Sequence, residues 1–181
     1  MGDSNVSGQA YSLTVMAPIV SEKVSHLVNY LDDLGSGDQS PLARVGSTHF
    51  ARWVVMDAPV FEGGHQRRDG WSAPRLLFTS NFDGALDPYL ESLRVGLGED
   101  ANTIWGHCKD FPGVADAGAF AAWIKRNQID SSLFYAAYGE MTVEDVLSNL
   151  ETRRRLTEFA AANQGGSAAG LRDAFLREFS P

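Results

Sequence analysis

The chain has 181 residues, of which 44% are hydrophobic and 21% charged, a composition typical of one globular domain rather than of a disordered chain. The formal net charge of -8 argues against a binder of duplex nucleic acid, which needs a basic surface. The lone cysteine, Cys108, excludes an internal disulfide and any zinc or iron–sulfur site built from several cysteines.

Four segments have the patterns of β-strands. Residues 11–17 alternate apolar and polar side chains, which is typical of a half-buried strand. Residues 48–57 and 75–82 contain many large apolar side chains, and no helix separates them, so we expect an antiparallel hairpin. Residues 132–138 read SLFYAAY and predict a fourth strand.

Apolar residues recur at helical spacing in the segments before, between and after these strands. The predicted helices cover 21–34, 87–97, 101–108, 116–127, 142–162 and 168–179. Together with the strands they predict an α+β fold with an antiparallel four-stranded sheet of the ferredoxin-like split-βαβ type and extra C-terminal helices. We expect a single domain over residues 1–181, with a core at 11–138 and a helical extension at 142–181.

The connection between the second and third strands, residues 58–73, is much longer than an ordinary hairpin loop. It combines three glycines with His65, Arg67 and Arg68. A mobile lid over a ligand and a disordered surface loop both fit this composition, and the two interpretations stay open.

The start of the chain, residues 1–10, is polar and has no apolar segment typical of a secretory signal peptide. The sequence also has no apolar run of about 18 residues, the length that suggests a membrane-spanning helix. We therefore expect a cytoplasmic protein with neither a membrane partner nor a nucleic-acid partner.

The order of elements within residues 11–138 resembles the ferredoxin-like unit of the dimeric α+β barrel superfamily. This resemblance implies a homodimer that binds a small-molecule ligand between its sheet and helices. The superfamily includes cofactor-free monooxygenases and cyclases, and haem enzymes that generally use two such units where this chain has one. The blocks THFARWVVMD, LLFTSNFDG and IWGHC also resemble parts of a bacterial family to which we attach no activity.

Motifs for phosphate-loop, dinucleotide-binding, zinc-protease and nucleophile-elbow chemistry are absent from the sequence. The candidate catalytic residues lie instead on the predicted strands: His49 as acid–base, Arg52 to hold an anionic group, and Asp83. Strict alternation places His49 with Ala51 on one face and Arg52 on the other. Each residue also has a structural interpretation, with Arg52 paired to a carboxylate such as Asp83.

Other side chains are candidates for contact with a ligand, and each has a structural alternative. They are Trp53, Asn81, Trp105, His107 and Tyr138. His49 or His107 would ligate the iron if the protein contained haem, and the sequence predicts no other metal site. Cys108 shares an apolar helix face with Trp105, which indicates a buried core thiol.

Two classes of function remain open from the sequence. The first is a small-molecule enzyme with a sheet-lined apolar pocket, performing a haem-dependent or cofactor-free oxidation or rearrangement. The second is a non-catalytic binding protein whose aromatic sheet face mediates dimerisation.

Overall fold

A computed structural model describes residues 4–56, 71 and 73–179. The expected loop at 58–73 lies outside these residues, apart from Trp71 and Ala73. The chain divides into two compact units, Met1–Val143 and Glu144–Pro181. The predicted α+β class is confirmed, because the first unit contains a four-stranded antiparallel sheet with helices.

The sheet consists of β1 (Val6–Ser7), β2 (Ala10–Pro18), β3 (Thr48–Met56) and β4 (Arg75–Asp83). Neighbouring strands follow the order β1-β2-β4-β3, and every pair is antiparallel. The three long strands lie where their sequence patterns predicted them. β3 and β4 pair with each other, as expected for strands without an intervening helix.

The predicted strand at 132–138 is wrong, because this segment is irregular. The free edge of β2 is already occupied: Ile129 donates its N–H to the Thr14 carbonyl at 2.8 Å, and Met16 donates to Asn127 at 2.9 Å. The segment lies instead beside β1, which has two residues and offers no ladder to extend. One of its backbone N–H groups bonds a side chain of the N-terminal segment, since Ala136 donates to the Ser7 hydroxyl at 3.1 Å.

Four helices of the first unit pack on one face of the sheet, and we call this the inner face. They are α1 (Val24–Asp33), α2 (Leu86–Leu97), α3 (Glu99–Trp105) and α4 (Ala117–Arg126). α4 shows how the sequence sets a boundary, because the Asp116 carboxylate accepts a hydrogen bond from the Ala119 N–H at 2.9 Å. Alternate residues of β2 and β4 supply the buried side chains beneath these helices.

Aromatic side chains form the centre of the core. Trp105 is 1% exposed and lies 5.5 Å from Phe78, 5.7 Å from Phe120 and 6.3 Å from Trp53, measured between ring centroids. Edge-to-face contacts of this kind stabilise a core beyond the area they bury. The hydrophobic interior of the first unit therefore lies between the inner face and its helices.

The second unit follows the start of α5 (Val143–Ala162) and includes α6 (Ala168–Phe179), whose bounds match the prediction. Phe159 of α5 lies 5.7 Å from Phe175 and 5.5 Å from Phe179. Neither helix contains a fully buried residue. Within the part of the chain that is described, no helix is both long and apolar enough to cross a bilayer.

Candidate functional site

On the side of the sheet opposite the helices of the first unit, the side chains of the three long strands are partly or fully exposed, and we call this side the outer face. Its residues form four rows across β2, β4 and β3: Ser12–Asn81–Phe50, Thr14–Thr79–Arg52, Met16–Leu77–Val54 and Pro18–Arg75–Met56. None of these residues is buried, and Phe50 and Val54 are 76% and 39% exposed. The first two rows are mostly polar and the third is apolar, so the outer face is amphipathic.

A β-bulge between Thr48 and Phe50 turns His49 toward the outer face. Thr48 faces the core, where its hydroxyl lies 3.1 Å from the Tyr89 hydroxyl. Phe50 points outward, and His49 pairs with Asp83, which shares the outward parity of Asn81 on β4. The prediction that His49 shares a face with Ala51 is therefore wrong, because the extra residue shifts the alternation by one.

His49 and Asp83 form a partly buried pair at the end of the outer face. The His49 Nε2 lies 2.7 Å from the Asp83 Oδ1, and the two side chains are 20% and 14% exposed. The other carboxylate oxygen of Asp83 accepts a hydrogen bond from the Val143 N–H at 2.7 Å, at the start of α5. The carboxylate thus has a fixed orientation, and it in turn fixes the imidazole ring.

Arg52 and Asn81 lie on the outer face next to this pair. The Arg52 Nε donates to the Thr79 hydroxyl at 3.3 Å, and its side chain is exposed. The proposed structural pairing of Arg52 with Asp83 is wrong, since Asp83 binds His49. Four of the predicted site residues, His49, Arg52, Asn81 and Asp83, are therefore brought together.

The remaining predicted site residues lie elsewhere. Trp53 and Trp105 pack against each other in the core. The carbonyl of His107 accepts a hydrogen bond from the Val20 N–H, just beyond the C-terminal end of β2. Asp83 pairs with the other end of β2, so His107 and Asp83 are about eight strand residues, or roughly 26 Å, apart. Tyr138 is 81% exposed in the irregular segment beside β1.

Each histidine proposed as a haem ligand uses one ring nitrogen for a contact within the protein. His49 uses Nε2 to hold Asp83, and the Nδ1 of His107 bonds the Thr103 carbonyl oxygen. A cleft of about 750 Å³, large enough for a cofactor, lies instead between β1, the start of α2 and Lys125 of α4, and neither histidine lines it. Over the described ranges, no three His, Cys, Asp or Glu side chains cluster as a metal site.

Two other residues of the outer face were not among the predicted site residues. Phe50 and Arg75 both lie on the outer face, at opposite ends of its four rows. The alternation of β4 carried the signal for Arg75, since it shares parity with Asn81 and Asp83. Phe50 was assigned to the face of Arg52, but its exposure could not be derived from periodicity alone.

Removing His49 is expected to destabilise the protein more than removing Arg52. His49→Ala leaves the partly buried Asp83 carboxylate without its imidazole partner, which costs about 1–3 kcal/mol. Arg52→Ala removes an exposed side chain with one long hydrogen bond, and we expect a change within about 0.5 kcal/mol. Urea unfolding of both variants checks this, and equal losses would contradict the described roles.

Cys108 is expected to be chemically inert in the folded protein. Burial raises the pKa of its thiol to about 12, so the reactive thiolate is scarce near neutral pH. A thiol reagent at pH 8 should label Cys108 only when the protein is unfolded in urea. Labelling of the native protein at the rate of an exposed thiol would contradict this burial.

Comparison of the chain with protein-family models, with curated proteins and with solved structures found no match.

Proposed function

We propose that the protein is a homodimeric enzyme that acts on a small anionic molecule held on the outer face, with a second copy closing over that face. The observation that carries the proposal is the gathering of His49, Arg52, Asn81 and Asp83, from two strands, at one end of the outer face. Paired polar side chains next to exposed apolar side chains are typical of ligand-binding sites.

His49 is the proposed general base. With Nε2 donating to Asp83, the ring nitrogen Nδ1 is the one that can accept a proton from the ligand. Asp83 would hold the ring in this tautomer and stabilise the imidazolium that forms. Proton removal of this kind can begin a cofactor-free oxidation or rearrangement. No step is assigned to haem.

Arg52 is the proposed anion-binding residue. Its Nε is used by Thr79, and the two terminal nitrogens of the guanidinium can bind a carboxylate in a forked arrangement. Arg52 lies three residues from His49 along β3, about 10 Å between backbone positions. A ligand whose anionic group binds Arg52 can therefore extend its reacting atom toward His49.

We further infer that the sheet is a ferredoxin-like unit, in which β2, β4 and β3 correspond to the first, third and second strands. The isolated pairing of Gln128 with Val15 supports this, since residues 127–129 then stand where the fourth strand would run. In the dimeric α+β barrels that this unit resembles, the sheets of two copies pack face to face, and such packing would cover the exposed Phe50 and Val54. A contiguous exposed apolar surface is a common sign of such an interface.

Native mass spectrometry of the protein purified from its own host tests this proposal. We expect twice the chain mass of 19.7 kDa, together with a small molecule released on denaturation. The His49→Gln and Arg52→Met variants should lose the small molecule and keep the dimer. A monomer without a bound molecule would contradict the proposal.

A second candidate is a non-catalytic assembly protein that uses the same face only for dimerisation. The 76% exposure of Phe50 on a strand favours it independently of His49. Dimers from which no small molecule is released, and which His49→Gln leaves unaltered, would favour this second function.

A further inference from the structure

The outer face carries two arginines with an apolar row between them. Arg52 lies opposite Thr79, and Arg75 lies four residues before Thr79 on β4, which is about 13 Å along the strand. Leu77 lies between them and is flanked on the neighbouring strands by Met16 and Val54. Two cationic groups thus bracket a strip of apolar side chains.

The charge of the outer face is opposite to that of the whole chain. The formal net charge of the protein is -8, yet the four rows contain two arginines and no carboxylate. Asp83, just beyond them, is already bound by His49 and by the Val143 N–H. Among the described residues of the four rows, an anionic ligand would therefore meet positive charge only.

Arg75 has an unsatisfied donor. Its Nε is buried and has no hydrogen-bond partner in the structure described, a rare state for a buried polar atom. Its guanidinium lies 5.3 Å from the centre of the Trp71 ring, and such stacking orients the planar group. Its other in-plane donors are then held ready for a planar acceptor such as a carboxylate.

We propose that the ligand of the outer face is a linear acid with an anionic group at each end and an apolar chain between them. One carboxylate binds Arg52, at the end of the ligand nearer to His49, and the other binds Arg75 while the chain covers Leu77. This inference rests on the proposed function, because it concerns the same face. It adds Arg75 as the residue that selects a dianion over a fatty acid with one carboxylate.

Calorimetric titration of the full-length protein with matched acids tests the inference. Dodecanedioate is expected to bind at least about tenfold more tightly than dodecanoate, because it gains one charge-assisted contact. Butanedioate is too short to reach both arginines and should bind weakly. Arg75→Met should lower the affinity for dodecanedioate to that for dodecanoate and leave the affinity for dodecanoate unchanged.

Arg172→Met provides the matched control, because Arg172 is an exposed arginine of the second unit, and it should alter neither affinity. Equal binding of the two twelve-carbon acids, no binding of any acid, or an equal loss for both in Arg75→Met would overturn the inference. Such results would not overturn the proposed function, which native mass spectrometry tests separately. A dimer that releases a different small molecule, and a His49→Gln variant that does not bind it, would still support that function.

Discussion

Replacing Phe50 by glutamate is expected to convert the dimer into monomers. Phe50 is 76% exposed on the edge strand β3, in the first row of the outer face, where a second copy would bury it. Loss of a buried aromatic anchor costs about 2 kcal/mol or more, and a two-fold interface contains it twice. The dissociation constant should therefore rise by roughly a thousandfold, from about 4 kcal/mol in total.

Sedimentation equilibrium of Phe50→Glu and of Val95→Glu measures this effect. Val95 is a matched control, since it is an apolar side chain, 64% exposed, on α2 rather than on the outer face. Both variants should have the same melting temperature as monomers. A Phe50→Glu protein that remains as dimeric as Val95→Glu would show that the outer face is not the interface.

The second large effect is expected at Trp105. Its ring contacts Trp53, Phe78, Phe111 and Phe120 and is 1% exposed. Trp105→Ala removes these contacts and leaves a cavity, which costs about 3–5 kcal/mol, a large fraction of the stability of an ordinary domain. Val95→Ala, at an exposed helix position, should change the free energy of unfolding by less than about 0.5 kcal/mol.

Urea unfolding followed by far-ultraviolet circular dichroism measures both free energies, since this signal does not depend on the removed tryptophan. A loss at Trp105 as small as that at Val95 would contradict its place in the core. Trp105 was also a predicted ligand-binding residue, and the same experiment separates the two roles. If Trp105 only contacted a ligand, Trp105→Ala would weaken ligand binding without lowering the free energy of unfolding.

Local patterns predicted the long strands and most helices because each pattern is set by neighbours along the chain. β2 alternates through its whole length, and the buried members are those that the alternation identifies. α6 covers Ala168–Phe179, the same bounds as the predicted helix. These features needed no knowledge of distant contacts.

The segment at 132–138 has strand-forming residues, but a strand also needs a partner edge. Residues 127–129 and β1 already occupy the edge of β2, and no sequence pattern revealed that competition. Strand propensity means that a residue fits well on a pleated, half-buried surface. It does not create the neighbouring strand that such a surface requires. Tyr138, in this irregular segment, is 81% exposed.

Four of the predicted site residues lie together at one end of the outer face, but the sequence did not predict how they pair. The bulge at His49 shifted the alternation, so the pairing of His49 with Asp83 could not be derived from period two. His107 shared a residue type with His49 but lies at the far end of the sheet. The pairing of β2 with β4 shows this distance, because Asp83 lies opposite Ala10 at one end of β2 while His107 bonds Val20 beyond the other end.

Labelling of a cysteine on the outer face tests the central claim most directly. Val54→Cys and the control Val95→Cys make the same substitution on and off that face, and buried Cys108 should not react. If a second copy closes over the outer face, Val54→Cys should react many times more slowly in concentrated than in dilute protein. Val95→Cys should react equally fast in both. Rates for Val54→Cys that do not change with protein concentration would contradict the claim.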